Sequence, residues 1–190
     1  MAIVKQNAGL EIDLKKIKVS FQVLDDQQHI KIKGSRTFDN TMSGFEALEN
    51  WLGQKRNDQL PVHLTLEATG VYGENVSYFF NDRPGFIVHI VLPNASKAFF
   101  KSHNFKSKTD EIDARGLGLI GLELQLAVWM PTSPQMRSIK KIVRQRSRLV
   151  RQRTIILNQI HAEQASYKPN VQILKQSEKL LKFINKQIDQ

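Results

Sequence analysis

Apolar and polar residues follow two different periods along this chain, and the change of period divides it into elements. Three β-branched runs come first, at Gly9 to Leu14, Ile17 to Leu24 and His29 to Thr37. In the second, Ile17, Val19, Phe21 and Val23 recur at every other position, as in a half-buried strand. Asp25-Asp26-Gln27-Gln28 is a polar hairpin-type connection, and such short links imply antiparallel neighbours. From residue 41 the period lengthens: Phe45, Leu48, Trp51 and Leu52 predict a helix over Thr41 to Lys55, with Gly53 as its stop. Pro61 precedes Val62-His63-Leu64-Thr65-Leu66, a nearly continuous apolar strand of the fully buried kind. A helix over Gly73 to Arg83, a buried strand over Phe86 to Leu92, a helix over Asn94 to Lys101 and a Thr109-capped helix through Leu124 complete the series.

Strand, strand, strand, helix, strand, helix, strand, helix is an α/β order that predicts a mixed sheet with helices on its faces. It resembles the ribonuclease H-like fold, in which the fourth strand lies parallel beside the first. Asp13 and Glu67 would then sit at neighbouring carboxyl ends, where ligands of open α/β sheets gather. Trp129 to Pro134 marks a boundary between a domain over residues 1–130 and an extension over 131–190. In the extension Met136, Ile139, Val143, Val150, Leu157 and Ile160 keep a three-four spacing. Ile142, Leu149 and Ile156 widen the stripe, and Arg146 and Arg153 interrupt it. Arg137, Lys140, Lys141, Arg144, Arg148 and Arg151 populate the remaining surface. After a break at Tyr167 to Asn170, a second amphipathic helix runs through Ile173, Leu174, Ser177, Leu180, Leu181, Ile184 and Ile188. The two helices suit either an antiparallel hairpin or packing against another subunit.

Charge changes this picture more than composition does. The 190 residues are 41% hydrophobic and 24% charged, as in a globular protein able to bury a core. Residues 131–190 hold 13 Lys and Arg against 3 Asp and Glu, whereas residues 1–130 hold 15 of each sign. The formal charge of +10 therefore belongs to the last third, which suits a polyanion-binding surface more than a merely solvated, charge-rich helical face. With no cysteine, disulfides and thiolate sites are excluded, and a bound metal would use oxygen or imidazole, which favours a hard ion such as Mg²⁺ or Mn²⁺. No run reaches the length of a membrane span, and Met1 to Lys5 lacks a signal-peptide apolar stretch. The expectation is a cytoplasmic protein with no membrane association.

Phosphodiester cleavage needs an in-line nucleophile and charge neutralisation on the leaving oxygen, which two divalent ions supply together. Asp13 on the first strand, Glu67 on the fourth, and the pair Asp110 and Asp113 on one helix face would supply the anionic oxygens. Each also has a simpler reading. Asp110, Glu111 and Asp113 all suit a helix N-terminus, and Glu11 shares its strand face with Asp13. His63 and His89 read as satisfied core residues; His29, His103 and His161 show no metal spacing. The aromatic–basic runs Phe99-Phe100-Lys101 and Phe105-Lys106 suit base stacking or core packing equally. Gly70 and Gly73 form no phosphate-binding fingerprint.

Several fragments together carry a family resemblance. They are Leu66-Glu67-Ala68-Thr69-Gly70-Val71-Tyr72, Val91-Leu92-Pro93-Asn94, Lys108-Thr109-Asp110-Glu111-Ile112-Asp113-Ala114, Trp129-Met130-Pro131 and Glu11-Ile12-Asp13-Leu14-Lys15. Over about residues 9–165 the chain resembles the DEDD-type insertion-sequence transposases, which include the Piv and MooV invertase-like recombinases and the bridge-RNA-guided transposases. The resemblance implies a RuvC-like domain with a magnesium site formed by Asp13, Glu67, Asp110 and Asp113. It implies DNA strand cleavage and exchange, with Lys108, Arg115 and the Arg137 to Arg153 series on DNA or on a guide RNA. It also implies homo-oligomer assembly through the helical extension, with Ile142, Leu149 and Ile156 facing another protomer. Members carry a further C-terminal domain with a nucleophilic serine, and nothing after Lys168 resembles it, so the chain reads as an N-terminal portion. A non-catalytic nucleic-acid-binding module or shortened regulator, and a stand-alone structure-selective nuclease, are the alternative readings. An actin-like ATPase shares the core order but would need a second glycine-rich phosphate loop, which this sequence lacks.

Overall fold

A computed structural model describes residues 1–68, 70–105 and 109–190. The described chain divides into two compact units, Met1–Pro131 and Thr132–Gln190. The first is a five-stranded mixed sheet with four helices. Strands β1 (Ile3–Ile12), β2 (Lys16–Asp25) and β3 (Ile30–Asp39) form an antiparallel meander. Helix α1 (Met42–Gly53) leads to β4 (Val62–Glu67), which pairs parallel to β1. Helix α2 (Glu74–Asn81) leads to β5 (Phe86–Val91), parallel to β4, and helices α3 (Pro93–Ser102) and α4 (Asp110–Glu123) follow. The sheet order β3-β2-β1-β4-β5 is that of the ribonuclease H/RuvC-like fold. β1 begins six residues earlier than the apolar run suggests, because Ile3 and, past an irregularity at Val4, Lys5 to Ala8 already pair with β2 or β4 although Lys5, Gln6 and Asn7 are polar.

Alternation gives the sheet two unlike faces. Ala8, Leu10, Ile12, Ile17, Val19, Phe21, Leu64, Leu66 and Val88 point to one side and meet Phe45, Leu48, Trp51 and Leu52 of α1 and Val76, Phe79 and Phe80 of α2. Phe21 and Phe38 both set their ring edges against Trp51. The residues between them are polar or lack side chains: Asn7, Gly9 and Glu11 on β1, Ser20 and Gln22 on β2, and His63, Thr65 and Glu67 on β4. That second face carries α4 and, beyond it, α3, where Val91, Phe99, Leu117 and Ile120 form a smaller apolar cluster.

The second unit is a helical hairpin. Helix α5 (Pro134–Ala165) packs against α6 (Val171–Ile188) through Leu149, Ile156 and Ile160 on one side and Leu174, Leu181, Ile184 and Ile188 on the other. Ser133 caps α5 at the Met136 amide, and Asn170 caps α6 at the Gln172 and Ile173 amides. The α6 contact ends near Leu149, so Met136, Ile139, Ile142 and Val143 are exposed; Ile142 is 66% accessible. Among the described residues no helix is long and apolar enough to cross a membrane.

Candidate functional site

The site is set by how α4 lies on the polar sheet face. A Cβ on Gly9 would overlap the Ala114 carbonyl and the Gly118 amide, so the helix backbone rests directly on β1. Asn7 Nδ2 donates to the Gly118 carbonyl at 2.9 Å, and Thr65 Oγ1 donates to Asn7 Oδ1 at 3.0 Å. Gln22 Nε2 reaches the Arg115 carbonyl at 2.9 Å, and Lys5 Nζ donates to the carbonyls of Leu122 and Leu124. Contacts therefore run from Lys5 to Gly9 along β1 as they run from Leu122 back to Ala114 along α4, so the two elements are antiparallel. Helix residues rise about 1.5 Å and strand residues about 3.3 Å. Four further residues back along α4, to Asp110, match two further residues along β1, to Glu11.

A cleft of about 370 Å³ opens at that position, lined by Glu11, Asp13, Lys16, Lys18, Thr37, Thr109, Asp110 and Glu111. Of the sequence-expected carboxylates, Asp13 and Asp110 share it. Asp13 lies one residue past β1 in the hairpin turn, where its Oδ1 accepts the Lys15 and Lys16 amides at 2.6 and 2.7 Å. The Lys16 and then the Lys15 amide hold this carboxyl below the usual carboxylate range. Thr109 caps α4 by accepting the Ile112 amide, which places Asp110, Glu111 and Asp113 in the first turn.

Glu67 and Asp113 do not line the cleft. Steps of about 100° per residue put Glu111 on the β2 side of α4. Lys18 Nζ stands there, 3.7 Å from Glu111 Oε2. The same steps put Asp113 toward Gly116, whose position faces Phe100 of α3. Glu67 ends β4 on that α3 side, and its Oε2 accepts Ser96 Oγ at 2.7 Å. Asp13 and Asp110 thus share the cleft, while Asp113, about 60° round the helix from Asp110, turns toward the α3 side on which Glu67 lies. Among the described residues no group of three or more His, Asp or Glu side chains is arranged to hold a metal. The donor chemistry nonetheless suits a hard divalent ion, since every donor is a carboxylate oxygen and both turn bonds of Asp13 use a single oxygen.

Sequence reasoning passed over Lys16, Lys18, Thr37 and Ser96. Strand parity puts Lys16 and Lys18 on the Ser20 and Gln22 face, a signal readable only once that face is known to be the polar one. His63 and His89 stack 5.1 Å apart, joined through Nδ1 and Nε2 at 2.8 Å, and His89 Nδ1 meets the Ala127 carbonyl. Burial, then His89 and Lys5, lower the His63 pKa to about 4, so the pair is neutral and structural.

The basic residues occupy separate places. Lys108 lies outside the described residues, and Arg115 is exposed on α4. On α5, Arg137, Lys140, Lys141, Arg144, Arg148 and Arg151 fall within about 100° of arc over about 21 Å of helix. All but the half-buried Arg137 are exposed.

A DEDD transposase family model, described as Transposase, matches residues 10–169. The pilin gene-inverting protein of Moraxella bovis is 30% identical over 122 residues, 62% of this chain, and the match spans 38% of that relative's length. Among solved structures, Thermus thermophilus RuvC aligns at 8% identity over 65% of this chain and 99% of its own, with a TM-score of 0.49. The fowlpox virus Holliday junction resolvase aligns at 18% identity over 62% of this chain and 97% of its own, with a TM-score of 0.44.

Proposed function

Because the chain belongs to the DEDD transposase family, we propose that it is the nucleic-acid-binding and metal-binding portion of a DNA recombinase that cleaves and exchanges strands. The observation that carries this reading is the antiparallel seating of α4 on β1, which delivers Asp110 to the cleft holding Asp13. Asp13, Glu67, Asp110 and Asp113 hold Mg²⁺ or Mn²⁺ and orient the DNA phosphate. A bound divalent ion would supply charge neutralisation on the phosphate oxygens and activation of the nucleophile. The cap at Thr109 fixes the two α4 carboxylates, and the hairpin turn fixes Asp13. Lys18, beside Glu111, offsets the carboxylates crowded into the cleft, while Lys16 at its edge pairs with Asp39.

The six-cation stripe of α5 contacts the phosphate backbone of DNA or of a guide RNA, and the hairpin unit joins protomers into a homo-oligomer. Six phosphate contacts predict a log–log salt slope of about −5 on duplex DNA. Exchanging Lys140, Lys141, Arg144 and Arg148 for glutamine should flatten that slope by about four contacts; an unchanged slope would place binding elsewhere. For the metal, titration calorimetry should show Mn²⁺ binding by the wild type that Asp13→Ala and Asp110→Ala each abolish with the fold retained. A wild type that binds neither Mn²⁺ nor Mg²⁺ leaves the second reading, a module that binds nucleic acid without cutting it. The position of Glu67 and Asp113 outside the lining of the cleft shared by Asp13 and Asp110 favours that alternative.

A further inference from the structure

Helix α3, over the polar sheet face, holds a buried hydroxyl to which the metal-site reading gives no part. Ser96 closes the first turn of α3 and is 0% exposed. Its Oγ stands 2.7 Å from Glu67 Oε2 and 3.1 Å from the Pro93 carbonyl. A hydroxyl has one proton to give, and the shorter contact to a carboxylate is the stronger bond. A serine inside a helix ordinarily satisfies itself on a carbonyl three or four residues back, so the turn toward Glu67 is not needed for its own sake.

Chain geometry brings the two together. Val91, the last residue of β5, pairs with Glu67 in the parallel register. Pro93 then opens α3 directly, and the first turn of that helix carries Ser96 back over the end of β4. The Ala68 amide donates to the Val91 carbonyl, which fixes the backbone beneath Glu67. Glu67 is therefore located from below by the sheet and from the α3 side by Ser96.

We propose that Ser96 is a positioning residue that locks one carboxylate oxygen of Glu67 and thereby sets the orientation of that side chain toward divalent cation. The inference rests on the metal-site reading for Glu67. Partners of this kind, hydrogen-bonded to a ligating carboxylate, typically carry 10–100-fold in metal affinity.

The test is a double-mutant cycle on the whole chain, with Mn²⁺ affinity from calorimetry and the fold checked by circular dichroism. Ser96→Ala should weaken Mn²⁺ about 10–100-fold, and Ser96→Thr, which restores the hydroxyl, should recover most of the loss. In a Glu67→Gln background Ser96→Ala should change nothing further. Wild-type affinity in Ser96→Ala overturns the inference and leaves the metal site standing. An equal loss in both backgrounds also overturns it, because Ser96 would then act through the fold. If the wild type binds no Mn²⁺, the metal-site reading fails. The carboxyl ¹³C resonance of Glu67 then decides the contact alone: it should move in Ser96→Ala and return in Ser96→Thr, and an unmoved resonance overturns it. Should Ser96→Ala fail to fold, Ser96→Cys keeps the volume with a weaker donor and should show a smaller loss of the same sign.

Discussion

The two faces of the central sheet are held by different physics. On the α1–α2 face, attachment is by apolar area: Phe21, Leu64, Leu66 and Phe80 are each at most 2% exposed and interdigitate with their neighbours. On the α4 face, attachment is by close approach and directed hydrogen bonds, with Gly9 against Ala114 and Gly118, and Asn7 and Gln22 reaching helix carbonyls. Apolar packing is non-directional and tolerates sliding and repacking, whereas amide-to-carbonyl bonds hold only at one register. The face that must deliver carboxylates to fixed points uses the second kind.

The largest effect should come from the apolar face. Phe21→Ala should cost about 3–5 kcal/mol in denaturant unfolding while leaving Mn²⁺ affinity of the folded fraction intact. A larger loss of affinity than of stability would erase the distinction between the faces. Gly9→Ala comes next, with about 1–3 kcal/mol lost and Mn²⁺ affinity reduced more than by Phe21→Ala, because the added methyl lifts α4 from β1. Asn7→Ala should cost about 1–2 kcal/mol by leaving Thr65 and the Gly118 carbonyl one partner short, with faster amide exchange confined to α4 as the sharper readout.

The smallest effect concerns pH. The lowered His63 pKa means that the unfolded chain binds a proton between about pH 6.5 and 4 that the folded chain does not. Stability is therefore fully present above that window and falls as pH drops through it, by on the order of 1 kcal/mol after allowance for solvent screening. Thermal unfolding of His63→Gln should show a shallower slope across the same interval; an unchanged slope would move the dependence to another group.

Much of the architecture was legible because period two and period three-four are wide signals. Ile17 to Val23 and Phe45 to Leu52 announced β2 and α1 by spacing alone. The N-terminal half of β1 was hidden because Lys5, Gln6 and Asn7 are polar, although Gln6 and Asn7 are fully buried. Their partners, the Asn57 and Leu60 carbonyls and the helix α4, lie 51 to 111 residues away. No local pattern encodes such a contact. At the site, the acidic positions stood out from their strand ends and the Thr109 cap. Which of them line the cleft depends on the rotation of α4 about its axis, which Gly9 and Gly118 settle jointly across the fold. Likewise the apolar stripe of α5 runs on from Met136 to Ile160 with only Arg146 and Arg153 interrupting it, yet its first three turns are uncovered because α6 is shorter than α5.

The backbone contact of Gly9 with Ala114 and Gly118 turns the segment from Asp110 to Gly118 into a ruler. Adding or removing a residue upstream of the Thr109 cap changes only how the chain arrives at the helix. One residue gained or lost between Asp113 and Gly118 would turn both aspartates by about 100° while the rest of α4 stayed seated. Length variation among relatives is thus admissible on one side of Thr109 and barred on the other. A designer grafting this unit has the same single place in which to splice.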